Sequence, residues 1–542
     1  MIIRTIVFAL LLVAVPVTHA AGQPEGIYGV YNEAGLGSLN IAPGSNILIF
    51  SGDFPVGAAV PRTSSGFPLV TNLAGTSVRL TVAGVSLDAY ILGAEAQWVR
   101  AMLPSSTPLG DGLLVVTYNG RSSAPYWLPV RAQGFGLYDG GWCGPLSYPS
   151  RPSFCVDRAV QNIDAAGGVS PNSLVVPARP GQLVTLWGTG LGFAPGDEAA
   201  GPIPGSLQTP GLQVSLGGRP AKIIYSGRSG CCAGMDEIIF EVPPGIEGCK
   251  VPVWVRYGEN PLLYNSLIDS STSEDIYVSI ASGTGACSDP NGLSEPEVQK
   301  LYSGNLRTAE MFLSEPYWGS AIGTVRRTNA IPLGSCAHSW GVGLAAEPDP
   351  GSLSDAGAAL NLRAPHGIFT AARDENGYYN GPFEGGSEPG EYRLDNGVGG
   401  PGLGPFQADL SPSAATIQWT NRNDFGRPIA DGLTVAWSVG DPSEGHIEIF
   451  GKLANDGETD GATLFACTER PANGNFTIPR AVLERAGVWS GKFNEFYLSV
   501  VLRVVKRVPI PGLDFAEFLM PSPGESKTID PATLTSPTET KR

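Results

Sequence analysis

The strongest constraint on the fold is a plan of short strands that occurs twice in the chain. Runs of alternating apolar and polar residues, each closed by Gly or Pro, are typical of β-strands joined by tight turns. Pro43-Gly44 in the earlier copy matches Pro180-Gly181, and Val82-Ala83-Gly84 matches Leu216-Gly217-Gly218. Because the matches follow the same order at similar spacing, we predict a tandem duplication.

Each copy holds about seven strand-like runs in roughly 90–100 residues, which suits an immunoglobulin-like sandwich. The composition agrees, because Gly (72) and Pro (47) supply many turns and 42% hydrophobic residues supply packed cores. After Ser282 alternating strands return, with helix signals only at 294–302 and 478–485. We therefore predict an all-β chain: tandem immunoglobulin-like β-sandwiches followed by a larger, less regular β-sandwich domain, with little helix.

The predicted divisions of the chain follow from these patterns and from a Pro-, Ser- and Thr-rich end that favours disorder. They are a signal peptide (1–20), a first immunoglobulin-like β-domain (21–132), a disulfide-tied linker (133–176), a second immunoglobulin-like β-domain (177–282), a C-terminal β-domain (283–520) and a disordered tail (521–542).

The first twenty residues have the pattern of a secretory signal peptide. Arg4 gives a positive start, residues 6–15 form an apolar run, and Thr18-His19-Ala20 offers a small-residue cleavage site. A retained N-terminal anchor is the alternative. We expect cleavage near Ala20 and a secreted or extracytoplasmic mature chain, in the periplasm or at the cell surface. Past the signal peptide, no apolar stretch is long enough to predict a transmembrane segment.

Eight cysteines, an even number, predict disulfides in an exported chain. They are Cys143, Cys155, Cys231, Cys232, Cys249, Cys287, Cys336 and Cys467. Bridging adjacent residues strains the backbone, so we expect Cys231 and Cys232 to take different partners, one of them Cys249. Cys143 is expected to pair with Cys155. Zinc is the competing interpretation, but the chain has no Cys-x-x-Cys pair and no nearby His cluster.

The charge of the chain bears on its partners. A net charge of −16 repels phosphate backbones, and no basic run with interleaved aromatic residues is present. We therefore expect no nucleic-acid partner. The expected partner is an unknown protein or glycan at the cell surface.

Sequence motifs for catalysis or cofactor binding are weak. Residues 397–402 satisfy G-x-G-x-x-G, but Pro401 interrupts the motif and no helical pattern follows, so a glycine turn is expected. His338, His366 and His446 lie in no metalloprotease motif, and neither a nucleophile elbow nor a P-loop is present. We predict no catalytic residue, no cofactor-binding residue, no metal ligand and no cofactor.

Three further patterns leave alternatives open. His338 beside Cys336 permits a thiol–imidazole pair, although a disulfide is expected for that cysteine. The acidic turn at 455–461 offers oxygens for calcium but lacks the full EF-hand spacing. Trp142 and Tyr148 in the linker form either a recognition patch or a cover over the junction of two sandwiches.

The duplicated motifs carry a resemblance to a known family. The Pro-Gly start, the Leu216-Gly217-Gly218 hairpin and the ending at 251–258 resemble TIG-type immunoglobulin-like domains. They are similar to the duplicated, uncharacterised β-domain at the C terminus of many secreted acidobacterial proteins, in which the phrases at 159–164 and 191–192 also recur. The resemblance covers about 40–280, and the first copy has no match to 188–192. No site transfers with the resemblance, because that family has no assigned catalytic residues.

Two functions fit these observations. The first is an exported, non-catalytic β-sandwich protein for adhesion, scaffolding or cell-surface association. The alternative is a secreted carbohydrate-binding or carbohydrate-cleaving protein that uses exposed Trp and carboxylate groups of its C-terminal β-domain. Trp419 and Trp437 lie in alternating strands and are expected in the core instead.

Overall fold

The computed structural model describes most of the chain. The described residues are 26–34, 41–52, 54–138, 160–196, 198–207, 209–257, 276–289, 292–314, 317–326, 331–340, 349–384, 390–410, 416–424, 432–443, 445–454, 463–489, 493–519 and 523–534. Four predictions lie outside these residues: the signal peptide, the Cys143–Cys155 pair, the Trp142 and Tyr148 patch, and the calcium turn at 455–461.

The described chain is almost entirely β-structure, as predicted. The strands of its first sandwich are β1 (Ile27–Asn32), β2 (Asn46–Ser51), β3 (Arg62–Thr63), β4 (Asn72–Leu73), β5 (Thr76–Val82), β6 (Val85–Asp88), β7 (Tyr90–Glu95), β8 (Trp98–Met102), β9 (Gly110–Tyr118), β10 (Arg121–Ser122) and β11 (Tyr126–Val130). One sheet has the order β1-β2-β8-β7-β3, and the other has β10-β9-β5-β4, with β11 on β9 and β6 on β5. Alternation explains the core between them: Val78 and Leu80 are buried, whereas Arg79 between them is exposed.

The second sandwich is formed by one continuous sheet that folds over on itself. Its strands are β12 (Gly136–Leu137), β13 (Val160–Ile163), β14 (Val169–Pro171), β15 (Leu183–Thr189), β16 (Gly205–Ser206), β17 (Gln213–Leu216), β18 (Arg219–Arg228), β19 (Asp236–Glu241), β20 (Gly248–Arg256) and β21 (Ile276–Ile280). Strand β18 pairs with β17 at one end and with β19 at the other, and a register shift between Ile223 and Tyr225 allows the bend.

Parts of the predicted linker belong to this second sandwich. Strands β12 and β13 both pair with β15, and β14 pairs with β13. The alternation in β13 accounts for this, because Val160 and Asn162 face inward while Gln161 and Ile163 are half-exposed. Only the central residues of the predicted linker, 139–159, lie outside the described chain.

The turns of the two copies share unusual backbone conformations. Gly44 and Gly181, in the matched Pro-Gly starts, have φ angles of +75° and +80°. The matched hairpins agree as well, with +49° and +79° at Ala83-Gly84 and +55° and +90° at Gly217-Gly218. Two successive positive φ angles are typical of the type I′ turn, whose twist suits a β-hairpin. The matched turns therefore have the same backbone conformation in both copies, and the duplication itself stays a prediction from the sequence.

The third domain is larger, and its described residues form three sheets. Its strands are β22 (Thr308–Ser314), β23 (Tyr317–Arg326), β24 (Ser335–Trp340), β25 (Asp349–Leu353), β26 (Ala359–Ala364), β27 (Gly367–Arg373), β28 (Tyr379–Pro382), β29 (Arg393–Asp395), β30 (Gln407–Asp409), β31 (Ile417–Trp419), β32 (Gly432–Val439), β33 (His446–Ala454), β34 (Thr463–Glu469), β35 (Asn475–Pro479), β36 (Glu495–Arg503), β37 (Val505–Val508), β38 (Phe515–Leu519) and β39 (Gly524–Ile529). The sheets have the orders β30-β29-β26-β27-β28-β23-β22-β38-β37, β24-β34-β33-β36-β39 and β31-β32-β35, with β25 on β23.

The end of the chain differs from the prediction. Strand β39 lies inside the segment that was predicted to be disordered, and it pairs with β36 over six residues. Ile529 is buried while Glu525 and Lys527 are half-exposed, so one apolar anchor docks an otherwise polar strand. Composition alone missed this pairing because the composition of a segment does not show which strand it pairs with, here β36.

Two short helices confirm the predicted helix signals. Helix α1 (Glu295–Tyr302) begins after Ser294, whose backbone N–H donates to the carboxylate of Glu297 at 2.7 Å. Helix α2 (Arg480–Ala486) follows β35 directly and ends at Gly487 in the left-handed conformation. Neither described helix has the length and hydropathy needed to cross a membrane.

The described residues contain three disulfides. They are Cys231–Cys232, Cys249–Cys287 and Cys336–Cys467. The expectation that Cys231 and Cys232 take different partners, one of them Cys249, was wrong. The adjacent pair lies in an irregular loop between β18 and β19, where no strand ladder holds the backbone extended. Cys249 instead meets Cys287, which is fully buried beside it.

The sequence alternation in β36 gives a stability prediction. Phe496 is fully buried, whereas its neighbour Tyr497 is 36% exposed on the opposite side of the strand. We expect Phe496→Ala to lower the free energy of unfolding of the third domain by about 3–5 kcal/mol, because it leaves a cavity in the core. Chemical denaturation followed by tryptophan fluorescence measures this change. Tyr497→Ala is the matched control, and equal losses for both variants would contradict the described register.

Candidate functional site

The residues singled out by motif do not converge on a catalytic centre. His446 begins β33, and its Nε2 lies 3.2 Å from Oε1 of Glu448 on the same side of the strand. His366 is exposed in the turn between β26 and β27. Cys336, beside His338 in β24, is bonded to Cys467 and is therefore not a free thiol. The glycine-rich segment at 397–402 forms turns that lead into β30, as expected, and no helix follows it.

The two candidate tryptophans of the third domain are core residues, as expected. Trp419 and Trp437 are directly opposite each other on β31 and β32, and they are 3% and 4% exposed. Trp437 Nε1 donates to the carbonyl of Pro471 at 2.9 Å, so its one polar group is satisfied. Neither indole is available to stack on a ligand.

Within the described chain, a cluster of buried charged side chains lies between the first and second sandwiches. We call it the first junction: Arg228, Asp236, Glu198, Ser105 and Pro43. Arg228 forms ion pairs with Asp236 and with Glu198, and all three side chains are at most 6% exposed. Its Nη2 also donates across the domain boundary, to the carbonyl of Pro43 at 3.3 Å and to Oγ of Ser105 at 3.4 Å.

Glu198 completes the connection in the opposite direction. Its second oxygen accepts a hydrogen bond from the backbone N–H of Ser105 in the first sandwich, at 2.9 Å. The approach is so close that a Cβ on Gly44 would overlap the guanidinium of Arg228. One arginine therefore holds loops of two domains together in a site that excludes bulk water.

A second group of polar residues extends this junction. Asn32 Nδ2 donates to the carbonyls of Gly134 at 2.6 Å and Thr189 at 3.1 Å, and the backbone N–H of Asn46 donates to Thr189 Oγ1 at 2.9 Å. The hydroxyl of Tyr138 donates a hydrogen bond to Oε2 of Glu33, in the first sandwich, at 3.0 Å. Burial raises the pKa of Tyr138 well above its ordinary value, so this donor keeps its proton.

The adjacent-cysteine loop lies against the first junction. Asn46 Nδ2 donates to the carbonyl of Ala233 at 3.1 Å, and Thr189 Oγ1 donates to the carbonyl of Gly234 at 2.5 Å. The loop is anchored at both ends by the Arg228–Asp236 pair. The disulfide thus stiffens a loop whose backbone carbonyls contact the neighbouring sandwich.

A second junction joins the second sandwich to the third domain. Arg256 pairs with Glu484 of α2, and the guanidinium of Arg485 lies 4.8 Å from the ring centre of Trp254. The backbone N–H of Cys336 donates to the carbonyl of Gly217 at 3.2 Å, so the tip of the β17–β18 hairpin is hydrogen-bonded to β24. The hairpin glycines permit this contact, because a Cβ on Gly218 would crowd the ring of Pro479.

A polar cleft opens beside the second junction. Its volume is about 460 Å³, and Arg219 of the second sandwich forms part of its wall. The third domain contributes the side chains of Glu469, Asn473, Asn475, Phe476, Thr477 and Pro479, together with Gly334. Phe476 is buried beneath the floor, while the three amide and hydroxyl side chains are exposed. We call this the junction cleft; it is an open groove with a largely polar, exposed lining, unlike the enclosed and mostly apolar pockets that bind small molecules.

Lys250 has the most altered pKa among the lysines of the described chain. Burial lowers its pKa to about 8, against a partial opposing effect of the charge of Asp289. Its ammonium group lies 5.7 Å from the ring centre of Tyr277, which is 42% exposed. Asp289 itself accepts a hydrogen bond from the N–H of Cys249 at 2.8 Å, so this group belongs to the disulfide region.

Sequence reasoning missed both junctions and the cleft. Arg228 stands at the end of a strand, and Asp236 begins the next one, where charged residues are ordinary. Only its neighbours gave a signal: two cysteines and three glycines lie between 227 and 234, which indicates a loop of special geometry.

Comparisons with known proteins add little. No protein-family model matches this chain, and no curated protein matches its sequence. Similar solved structures include titin domains A168-A170 (9% identity, 70% of this chain, 93% of that chain, TM-score 0.13). A second is Bacteroides ovatus SGBP-B of a mixed-linkage glucan utilization locus (10% identity, 79% of this chain, 87% of that chain, TM-score 0.13). A third is surface layer protein SbsC domains 4–9 (8% identity, 94% of this chain, 82% of that chain, TM-score 0.12). TM-scores this low have no bearing on function, and the acidobacterial likeness stays a resemblance of motifs.

The first junction gives a stability prediction. We expect Arg228→Met to lower the free energy of unfolding by about 3–5 kcal/mol, because two buried carboxylates lose their partner. Arg79→Met is the matched control: it breaks the exposed pair with Asp88 and costs at most about 1 kcal/mol. Differential scanning calorimetry of both variants measures the contrast, and equal shifts would contradict the described burial.

Lys250 gives a pH prediction. Between its lowered pKa of about 8 and the ordinary lysine value of about 10.4, the unfolded chain binds more protons than the folded one. The contribution of Lys250 to stability therefore improves as pH rises through this window. We expect Lys250→Met to be more stable than wild type at pH 7 and to lose that advantage by pH 10. Denaturant titrations at pH 7, 8.5 and 10 measure it, with the exposed Lys222→Met as control.

Proposed function

We propose that this chain is an exported, non-catalytic β-sandwich protein that serves adhesion, scaffolding or cell-surface association. The observation that supports this most is the first junction, where buried Arg228 bonds to loops of both sandwiches. Domains of one chain usually move relative to each other. Here a change of angle would leave charged groups buried without partners, which is costly. Stiffly joined domains suit a protein that presents its surfaces at a set spacing.

The disulfides support an extracytoplasmic location. Three pairs in the described residues are oxidised, and disulfides persist in oxidising compartments such as the periplasm or the cell surface. Two of them lie in the region between the second and third domains. Cys249–Cys287 precedes α1, and the backbone N–H of Cys336, in the Cys336–Cys467 pair, donates a hydrogen bond to the β17–β18 hairpin. Covalent closure of these loops reduces the entropy of the unfolded chain and keeps the domains folded outside the cell.

Localisation in the producing cell tests the proposal. We expect an antibody against the third domain to label intact cells, and the N-terminal peptide of the purified protein to begin near Ala21. Deletion of residues 1–20 should keep the protein inside the cell. Labelling only after cell lysis would contradict the proposal.

A turnover assay tests the non-catalytic part. The purified mature chain is incubated with glycan, ester and peptide substrates, together with Glu469→Gln, which neutralises the carboxylate of the junction cleft. We expect no turnover above that of a buffer blank. Glu375→Gln, at an exposed turn residue, is the control. The non-catalytic proposal is contradicted if turnover is present in this control and abolished in Glu469→Gln.

A further inference from the structure

We infer that the junction cleft binds an uncharged polysaccharide. This inference rests on the proposed surface function, because it names the ligand through which the protein would attach. It depends on the shape of the cleft, on the chemistry of its lining and on the sheet surface that continues from it.

The walls of the cleft are held in place before any ligand binds. Arg219 follows the tip of the β17–β18 hairpin, where the carbonyl of Gly217 accepts a hydrogen bond from the N–H of Cys336 in β24. The Cys336–Cys467 disulfide in turn links β24 to β34. Strand β34 ends at Glu469, which lines the cleft. A site assembled in advance loses less entropy on binding than a flexible one.

The charges of the lining balance. Gly334 lies next to both charged groups: a Cβ there would be 3.5 Å from Nη2 of Arg219 and 3.9 Å from Oε2 of Glu469. One cation and one anion at the same rim favour neither a phosphate nor a metal ion. Among the described residues, no group of three or more metal-ligating side chains occurs anywhere. The lining therefore suits a ligand without net charge.

The remaining polar side chains of the lining, Asn473, Asn475 and Thr477, both donate and accept hydrogen bonds. Asn473 Nδ2 donates to Oε1 of Glu469 at 2.9 Å, and Asn475 Nδ2 donates to the carbonyl of Asn473 at 3.3 Å. Thr477 shares a hydrogen bond of 2.8 Å with Thr434. These contacts position the amide oxygens and hydroxyls without using all of their capacity. Sugar hydroxyls also donate and accept, so a polyhydroxyl ligand matches this lining best.

The surface beyond the cleft explains why the ligand is a chain and not a single sugar. The outward side of the β31-β32-β35 sheet carries only uncharged residues in the described chain, and we call it the neutral strip: Gln418, Thr434, Ala436, Ser438, Asn475 and Thr477. The outward side of β33, in contrast, bears His446, Glu448 and Lys452. The neutral strip therefore offers an extended polymer a row of polar groups with no charged side chain among them.

Affinity electrophoresis tests the inference. The mature chain is run through native gels that contain mixed-linkage β-glucan, galactomannan or arabinoxylan, with alginate and polygalacturonate as acidic comparisons. We expect at least one neutral polymer to retard the protein, with a retardation that is independent of ionic strength. The double variant Asn475→Ala/Thr477→Val should weaken binding about tenfold or more, because it removes cleft hydrogen bonds.

The matched control is Thr528→Val. Thr528 is another exposed strand threonine of the third domain, on β39, so it reports any general effect of the substitution. Melting curves of both variants show whether each is folded. Equal retardation of the double variant and wild type would overturn the inference, because the polysaccharide would then bind elsewhere.

Other outcomes also decide between the proposals. No retardation by any neutral polymer, or retardation only by acidic polymers or added peptides, overturns the ligand class. If intact cells are nevertheless labelled, the proposed surface function stands while this inference fails. If the neutral polymers bind at the cleft but cells are not labelled, the inference stands and the location was wrong.

Discussion

The relative position of the first two sandwiches depends on one buried arginine. Arg228 balances two carboxylates of its own domain and donates to Pro43 and Ser105 of the other. A buried cation is stable only when its partners are in place, so the charge requires the domain interface and the interface requires the charge. The second junction uses a different device, in which the Arg485 guanidinium covers the indole of Trp254. The junction cleft opens beside this second junction, where Arg219 of the second sandwich faces the third domain.

Local sequence patterns predicted the strands and turns well. Period-two alternation marks β5 and β36, and the Pro-Gly starts and paired hairpin residues mark turns that need positive φ angles. Helix α1 was predictable from Ser294 and Glu297, because a capping box acts over three residues. Each of these signals depends only on residues that are close together in the chain, so it can be recognised from a single sequence.

The contacts between domains, and the cleft beside them, were not predictable because they join residues that lie far apart in the chain. Arg228 meets Pro43 across 185 residues, and Arg256 meets Glu484 across 228. No local spacing relates such partners, and the cleft exists only where Arg219 approaches the third domain. The disulfides show the same limit: adjacency of Cys231 and Cys232 argued against their pairing, whereas the irregular loop around them permits it.

The two Pro-Gly starts have acquired unequal surroundings. A side chain on Gly44 would collide with Arg228, while Gly181 has nothing within 4 Å of the equivalent position. The repeats are therefore no longer interchangeable copies, since only the first fits against the arginine of the second. A second sandwich transferred alone by recombination would keep the buried Arg228 but would lose the carbonyl of Pro43 and the hydroxyl of Ser105, which accept its hydrogen bonds.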